Sequence, residues 1–133
     1  QEHGLALVYL LSPASPAERI ATVVAQASGF LYLVSLTGVT GARSSLPPEL
    51  PAFVERVRKA APGMPLAVGF GISTPEHARQ VGQMADGVIV GSALVDAIGK
   101  AEDPVEAAGE FVSALRRGME DGKLSANGAN SRE

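Results

Sequence analysis

The sequence predicts an α/β fold built on parallel strands, and three observations carry that prediction. Short apolar runs alternate with amphipathic helical stretches four times along the chain. Capping residues open most of the helical stretches, and glycine or proline closes several of them. Aromatic residues make up only 5% of the chain and Trp is absent. The core is therefore aliphatic and alanine-rich, the composition of parallel strands buried on both faces. Strand–helix alternation implies right-handed crossovers and gathers the carboxyl ends of the strands at one edge of the sheet. It leaves two architectures open, a four-stranded open sheet and half of an eight-stranded barrel.

Taken in order, residues 5–11 form a continuous apolar run ended by Ser12-Pro13. Ser15-Pro16-Ala17-Glu18 reads as a capping box, with Ser15 at the N-cap, Pro16 at the first helical position and Glu18 reaching back. Ile20, Val23, Val24 and Ala27 then mark one helical face, closed by Ser28-Gly29. Residues 30–36 are the second strand, and a proline-rich connector leads to a helix with Leu50, Phe53, Val54 and Val57 on its buried face. Residues 65–68 form the third strand, followed by a helix opened by Thr74-Pro75-Glu76, with Val81 and Met84 facing inward. Residues 86–90 are the fourth strand and residues 93–98 a short helix. Asp103-Pro104-Val105-Glu106 starts the last helix, lined by Val105, Ala108, Val112, Leu115 and Met119. Residues 1–122 thus form one folded unit without a linker, and the polar, patternless residues 123–133 read as a flexible tail.

Composition excludes several function classes. A net charge of −3 gives no electrostatic case for nucleic acid or an anionic membrane. With no cysteine there is no disulfide, thiolate metal site or cysteine nucleophile, and a reducing, cytoplasmic location is expected. No apolar run reaches the ~18 residues of a membrane span, and no signal peptide is evident.

Chemistry concentrates where strands give way to loops. Thr37-Gly38-Val39-Thr40-Gly41, Gly69-Phe70-Gly71 and Gly91-Ser92 all fall at carboxyl ends of strands. Glycine lets backbone N–H groups approach a ligand closely, so three such stops point to one shared anion site, expected to take a phosphate ester. Residues 93–98 place a helix N-terminus directly after Gly91-Ser92, a source of free N–H groups and positive dipole. Simpler readings stand beside these. Gly69 alone fits a tight turn, Thr40 can bond its own turn, and Tyr32 can be a core tyrosine with a satisfied hydroxyl. Arg43 reads as a solvated loop arginine, and His3 and His77 as surface residues. Glu18, Glu76 and Glu106 are explained as helix caps, and Asp86 lies at the amino end of its strand, away from any catalytic edge. Ser12 and Ser35 lack a basic partner, although Ser35 can line a pocket. No carboxylate, histidine or cysteine sits at a strand's carboxyl end to perform catalysis.

Three blocks, Ser35-Leu36-Thr37-Gly38-Val39-Thr40-Gly41-Ala42, Val68-Gly69-Phe70-Gly71-Ile72-Ser73-Thr74-Pro75-Glu76 and Ala85-Asp86-Gly87-Val88-Ile89-Val90-Gly91-Ser92-Ala93, resemble the tryptophan synthase alpha chain family in order and spacing. Ser28-Gly29-Phe30-Leu31-Tyr32-Leu33 extends the resemblance, which covers most of the chain from Leu5 to about Leu115. It implies a (β/α)8 TIM barrel of roughly twice this length, with this chain as its carboxyl half, strands five to eight. The implied activity is cleavage of indole-3-glycerol phosphate to indole and glyceraldehyde 3-phosphate, a carbon–carbon lyase step of tryptophan biosynthesis. The implied partner is the beta chain in an alpha2beta2 assembly; pyridoxal phosphate belongs to that partner, and the alpha chain needs neither cofactor nor metal. By resemblance, Tyr32, Thr40, Gly41 and Phe70 bind substrate, with Thr40 and Gly41 in a closing loop, while Gly71, Gly91 and Ser92 hold the phosphate. The family's catalytic Glu and Asp have no counterpart here, so the segment alone is expected to be inactive. The competing expectations are another phosphosugar-binding barrel, an isomerase or epimerase, and a non-catalytic phosphate-binding half-barrel.

Overall fold

The computed structural model describes residues 3–35, 46–69 and 71–130. Within them the order is β1 (Tyr9–Leu11), α1 (Ala17–Gln26), β2 (Leu31–Val34), α2 (Leu50–Ala60), β3 (Leu66–Gly69), α3 (Pro75–Gly82), β4 (Gly87–Ile89), α4 (Ser92–Lys100) and α5 (Pro104–Asn130). The strands form one parallel sheet in the order β1-β2-β3-β4. A right-handed crossover repeated in one direction returns each helix to the same face. The side chains follow that rule. Leu11, Leu31, Leu33, Leu66 and Val68 share one buried cluster with Ile20 and Val23 of α1, Phe53, Val54 and Val57 of α2, Val81 of α3 and Leu115 and Met119 of α5. Each fully buried leucine of this layer contributes ~1.5–3 kcal/mol through apolar burial.

The alternate residues point the other way. Leu10 is 51% exposed, and Tyr32, Val34, Ala67 and Ile89 are half-buried. Within this chain the helices pack on one face of the sheet, and these residues form the other face. Helices on both faces would have required a reversal of strand order.

Boundaries also move. The first strand shrinks to three residues because Leu7 is bonded elsewhere: its N–H donates to Ser28 Oγ at 2.9 Å, and its carbonyl accepts from Ser28 N–H at 3.2 Å. The capping box at α1 does not form. Pro16 occupies the N-cap, while Ser15 Oγ accepts from the Ser12 N–H and closes the preceding turn. At α5 the cap is Asp103, whose Oδ1 accepts from the N–H groups of Val105 and Glu106. Glu18, Glu76 and Glu106 lie in first turns, where they complement the helix dipole.

Helix α5 departs most from expectation. Val105 is 83% and Val112 51% exposed, so only the later part of the predicted stripe is packed. The early part reaches past β4, where Val88, Val90, Leu94, Phe111, Val112 and Met119 line an open groove of about 240 Å³. At its far end the helix continues to Asn130, where the sequence predicts a tail from residue 123. There Lys123 Nζ donates to the Asp86 carbonyl at 3.1 Å and ties the extension to the start of β4.

Helices α3 and α5 owe their close approach to three glycines. A Cβ at Gly82 would strike the Met119 carbonyl, at Gly118 the Pro75 carbonyl, and at Gly122 the Arg79 carbonyl. Gly109, on the same helix α5, faces open space. Gly118→Ala should therefore lower stability by about 1–3 kcal/mol despite alanine's better helix propensity. Gly109→Ala should raise it by up to about 1 kcal/mol. Urea-unfolding midpoints of the two variants, which differ only in what the added methyl meets, check both signs.

Candidate functional site

Parallel register brings the carboxyl ends of the strands to one edge. Val34 pairs with Gly69 and Gly69 with Ile89, so these residues form a row across β2, β3 and β4. Gly71 and Gly91 each lie two residues past a member of the registered pair Gly69–Ile89. Gly71 has φ +74°, a conformation that glycine adopts at little cost. Gly91 is the N-cap of α4 and Ser92 its first residue, with no side-chain hydrogen bond at the cap. Helix geometry leaves the N–H groups of Ser92, Ala93 and Leu94 without intrahelical acceptors, and the dipole makes that end electropositive. This edge can receive an anion without a lysine or arginine.

Tyr32 belongs to the same edge. It lies on β2 opposite Ala67, and its ring covers Gly69, where an added Cβ would collide with the ring carbons and hydroxyl. Gly69 is thus required by packing of the tyrosine, which explains it more specifically than a tight turn does. Burial pushes the Tyr32 phenol above its ordinary value. Just past the end of β2, Ser35 is fully buried, and both its N–H and its Oγ donate to the Gly69 carbonyl, at 3.0 and 2.8 Å. Ser35 fastens the end of β2 to the end of β3.

His77 is placed differently from its expected surface position. It is 3% exposed in the first turn of α3. Its N–H donates to Thr74 Oγ1 at 3.1 Å, and its Nδ1 accepts from the Ser73 N–H at 3.3 Å. A signal was present in the sequence: His77, Val81 and Met84 fall at i, i+4 and i+7, the spacing of one helical face. Its neighbour Glu76 turns to solvent, where hydrogen bonds from Arg79 and Gln80 hold its carboxyl down to about 2.

The opposite edge is a clamp. Asp86 Oδ2 accepts from Arg58 Nη2 at 2.6 Å and from the Leu66 N–H at 2.8 Å, joining α2 to the starts of β3 and β4. Burial opposes ionisation there, but the Leu66 amide, Arg58 and Lys123 outweigh it, and the carboxyl lies below its ordinary value. Asp86 therefore sits at the end of the sheet remote from the glycine turns.

Thr40, Gly41, Phe70 and Arg43 lie outside the described residues. Among the described residues, no cluster of three or more His, Cys, Asp or Glu could hold a metal ion. No helix among them is long and apolar enough to cross a membrane.

With this geometry in view, the family described as tryptophan synthase alpha chain matches residues 1–123. The chain belongs to that family. The tryptophan synthase alpha chain of Geobacter sp. (strain M21) is 54% identical over 118 residues, covering 87% of this chain and 44% of the relative. That of Roseiflexus castenholzii (strain DSM 13941 / HLO8) is 52% identical over 118 residues, covering 87% and 45%. The crystal structure of tryptophan synthase subunit alpha from Legionella pneumophila str. Paris matches with a TM-score of 0.73 at 44% identity, over 90% of this chain and 44% of that one. The α/β arrangement is thus part of the TIM barrel of tryptophan synthase alpha chains, and the chain spans less than half the length of these relatives.

Two outcomes follow from the two edges. Gly69→Ala should cost about 1–3 kcal/mol, because Tyr32 must leave its position. In a Tyr32→Ala background the same change should be nearly neutral, and a double-mutant cycle by urea unfolding measures the difference. For Asp86, a folded-state value below the ordinary one contributes stability that is present above the unfolded value of 3.8 and is lost as pH falls through the folded one. The stability gap between the natural chain and Asp86→Asn should therefore narrow between about pH 5 and pH 2, as followed by acid titration of the unfolding midpoint.

Proposed function

We propose that this chain is the phosphate-holding carboxyl half of a tryptophan synthase alpha chain, which cleaves indole-3-glycerol phosphate to indole and glyceraldehyde 3-phosphate. The observation that carries the proposal is Gly71 and Gly91-Ser92 at matching positions past a registered strand pair, the second opening α4, in a chain of this family. A phosphate dianion at that point takes main-chain N–H groups of Gly71, Gly91 and Ser92 and the positive end of α4. Tyr32 borders the reacting end of the substrate and Phe70 the phosphate, while Thr40 and Gly41 belong to a loop that closes over the substrate.

The reaction breaks the bond between indole C3 and the glycerol side chain. A proton must be delivered to C3, and bases must act at the ring N–H and at the side-chain hydroxyl that becomes the aldehyde. Electrons of the broken bond return to the indole, whose ring nitrogen regains its proton, so that one proton gained at C3 balances the one lost from the hydroxyl. Two carboxylates in distinct environments suit these transfers, each worth about 10²–10⁴ in rate. In this reading they are a Glu and an Asp in the portion of the family's length that the chain does not span. The present segment supplies position: holding the phosphate fixes the distance from the reacting carbon to those groups. No cofactor takes part here. The beta chain, with its pyridoxal phosphate, receives the indole in an alpha2beta2 assembly.

The test mixes the chain with indole-3-glycerol phosphate, with and without the complementary amino portion of the Geobacter relative. Indole should appear only with both parts; release by this chain alone would refute the assignment of the catalytic groups. Ser92→Asp, which places a negative charge at the α4 N-terminus, should weaken glycerol 3-phosphate binding about tenfold, measured by titration.

A further inference from the structure

We propose that His77 is a positioning residue for the turn between β3 and α3, holding Gly71 in place for the phosphate. This deepens the phosphate reading above and rests on it. Gly71 lies between the end of β3 at Gly69 and the start of α3 at Pro75, so the residues that follow it are few. Three of them are anchored. Ile72 is buried at 4% exposure. Thr74 caps α3, its Oγ1 accepting from the His77 N–H. Ser73, between them, gives its N–H to His77 Nδ1.

The arrangement is a capping box with an unusual third member. In the common form, Ser or Thr at the N-cap accepts from the N3 amide, and Glu or Gln at N3 reaches back to the N-cap amide. Here Thr74 is the N-cap and His77 occupies N3, but its ring reaches one residue further, to Ser73. The carboxylate next to it, Glu76, is engaged by Arg79 and does not serve. An imidazole accepts at Nδ1 only when that nitrogen carries no proton, so the tautomer in use is protonated at Nε2. Buried at 3% exposure, the ring links the helix to the turn, and Gly71 lies only two residues before the bonded amide. At φ +74° Gly71 has wide conformational freedom, so its direction depends on what holds the residues after it. A side chain without an acceptor at this position would release Ser73 and spread the turn over more conformers. The loss would then appear in the affinity for a phosphate ester.

The experiment titrates glycerol 3-phosphate into the 133-residue chain and into His77→Ala and His77→Gln, with unfolding midpoints measured in parallel. Alanine should weaken binding about tenfold, the scale of one lost hydrogen bond that orders the site. Glutamine, whose side-chain oxygen can accept from the Ser73 N–H in place of Nδ1, should restore binding to within about twofold. If the natural chain binds and the alanine variant binds equally well, positioning by His77 is refuted while the phosphate site stands. The same holds if glutamine folds normally but gives no rescue. If the natural chain does not bind glycerol 3-phosphate, the phosphate reading falls and this inference with it. Should the variants fail to fold, ¹⁵N spectra of the natural chain decide: an unprotonated Nδ1 coupled through the hydrogen bond to the Ser73 amide nitrogen supports the proposal. A protonated Nδ1, or no such coupling, refutes it.

Discussion

Neighbouring strands of this sheet run the same way, so after each one the chain must travel back along the depth of the sheet before starting the next. A helix makes that return with its backbone groups bonded to one another, and right-handed winding in a single direction lays each return on the same side. The leucines of β1, β2 and β3 meet α1, α2, α3 and α5 there. The same constraint sends the strands' carboxyl ends to one edge and their amino ends to the other. At the first edge the chain opens into glycine turns. At the second, Asp86 gathers Arg58 and the Leu66 amide, while Lys123 bonds its carbonyl. Division of labour between the edges follows from parallel pairing before any functional residue is considered.

Much of this was legible in the residues. The stripes Leu50-Phe53-Val54-Val57 and Ile20-Val23 are buried as their spacing predicts, because helical periodicity reports burial directly. Asp103 and Thr74 cap α5 and α3, each a short polar side chain whose oxygen accepts from a first-turn amide. The failures are equally physical. Ser15 satisfies the preceding turn instead of its helix, a competition between two local hydrogen bonds that spacing cannot resolve. The extent of α5 depends on contacts with α3 and β4 that lie far away in the chain, and a polar stretch after Gly122 carries no local sign of them.

For the candidate site, the glycine turns were visible as residue types, but the reasons for individual glycines were not. Gly69 is small because Tyr32, far earlier in the chain, lies across it. His77 seemed a surface residue when judged by its place in a first helical turn, yet its spacing with Val81 marked it as inward-facing. Local grammar names the candidates; only tertiary contacts distinguish residues that present a backbone amide from residues that hold another in place. The resemblance to tryptophan synthase alpha chains supplied what neither could, the chemistry such an edge would serve.

Among the described residues, unidirectional winding also puts β1 and β4 at the two margins of the sheet, each paired on one side. On one, Leu5, Leu7 and Leu10 stand in water; on the other, Val112 does. Unpaired strand edges beside apolar side chains invite further β-pairing, and among the described residues neither β1 nor β4 contains a charged side chain to discourage it. Each margin could therefore take a further parallel strand, which is how a sheet of this winding grows toward a closed barrel.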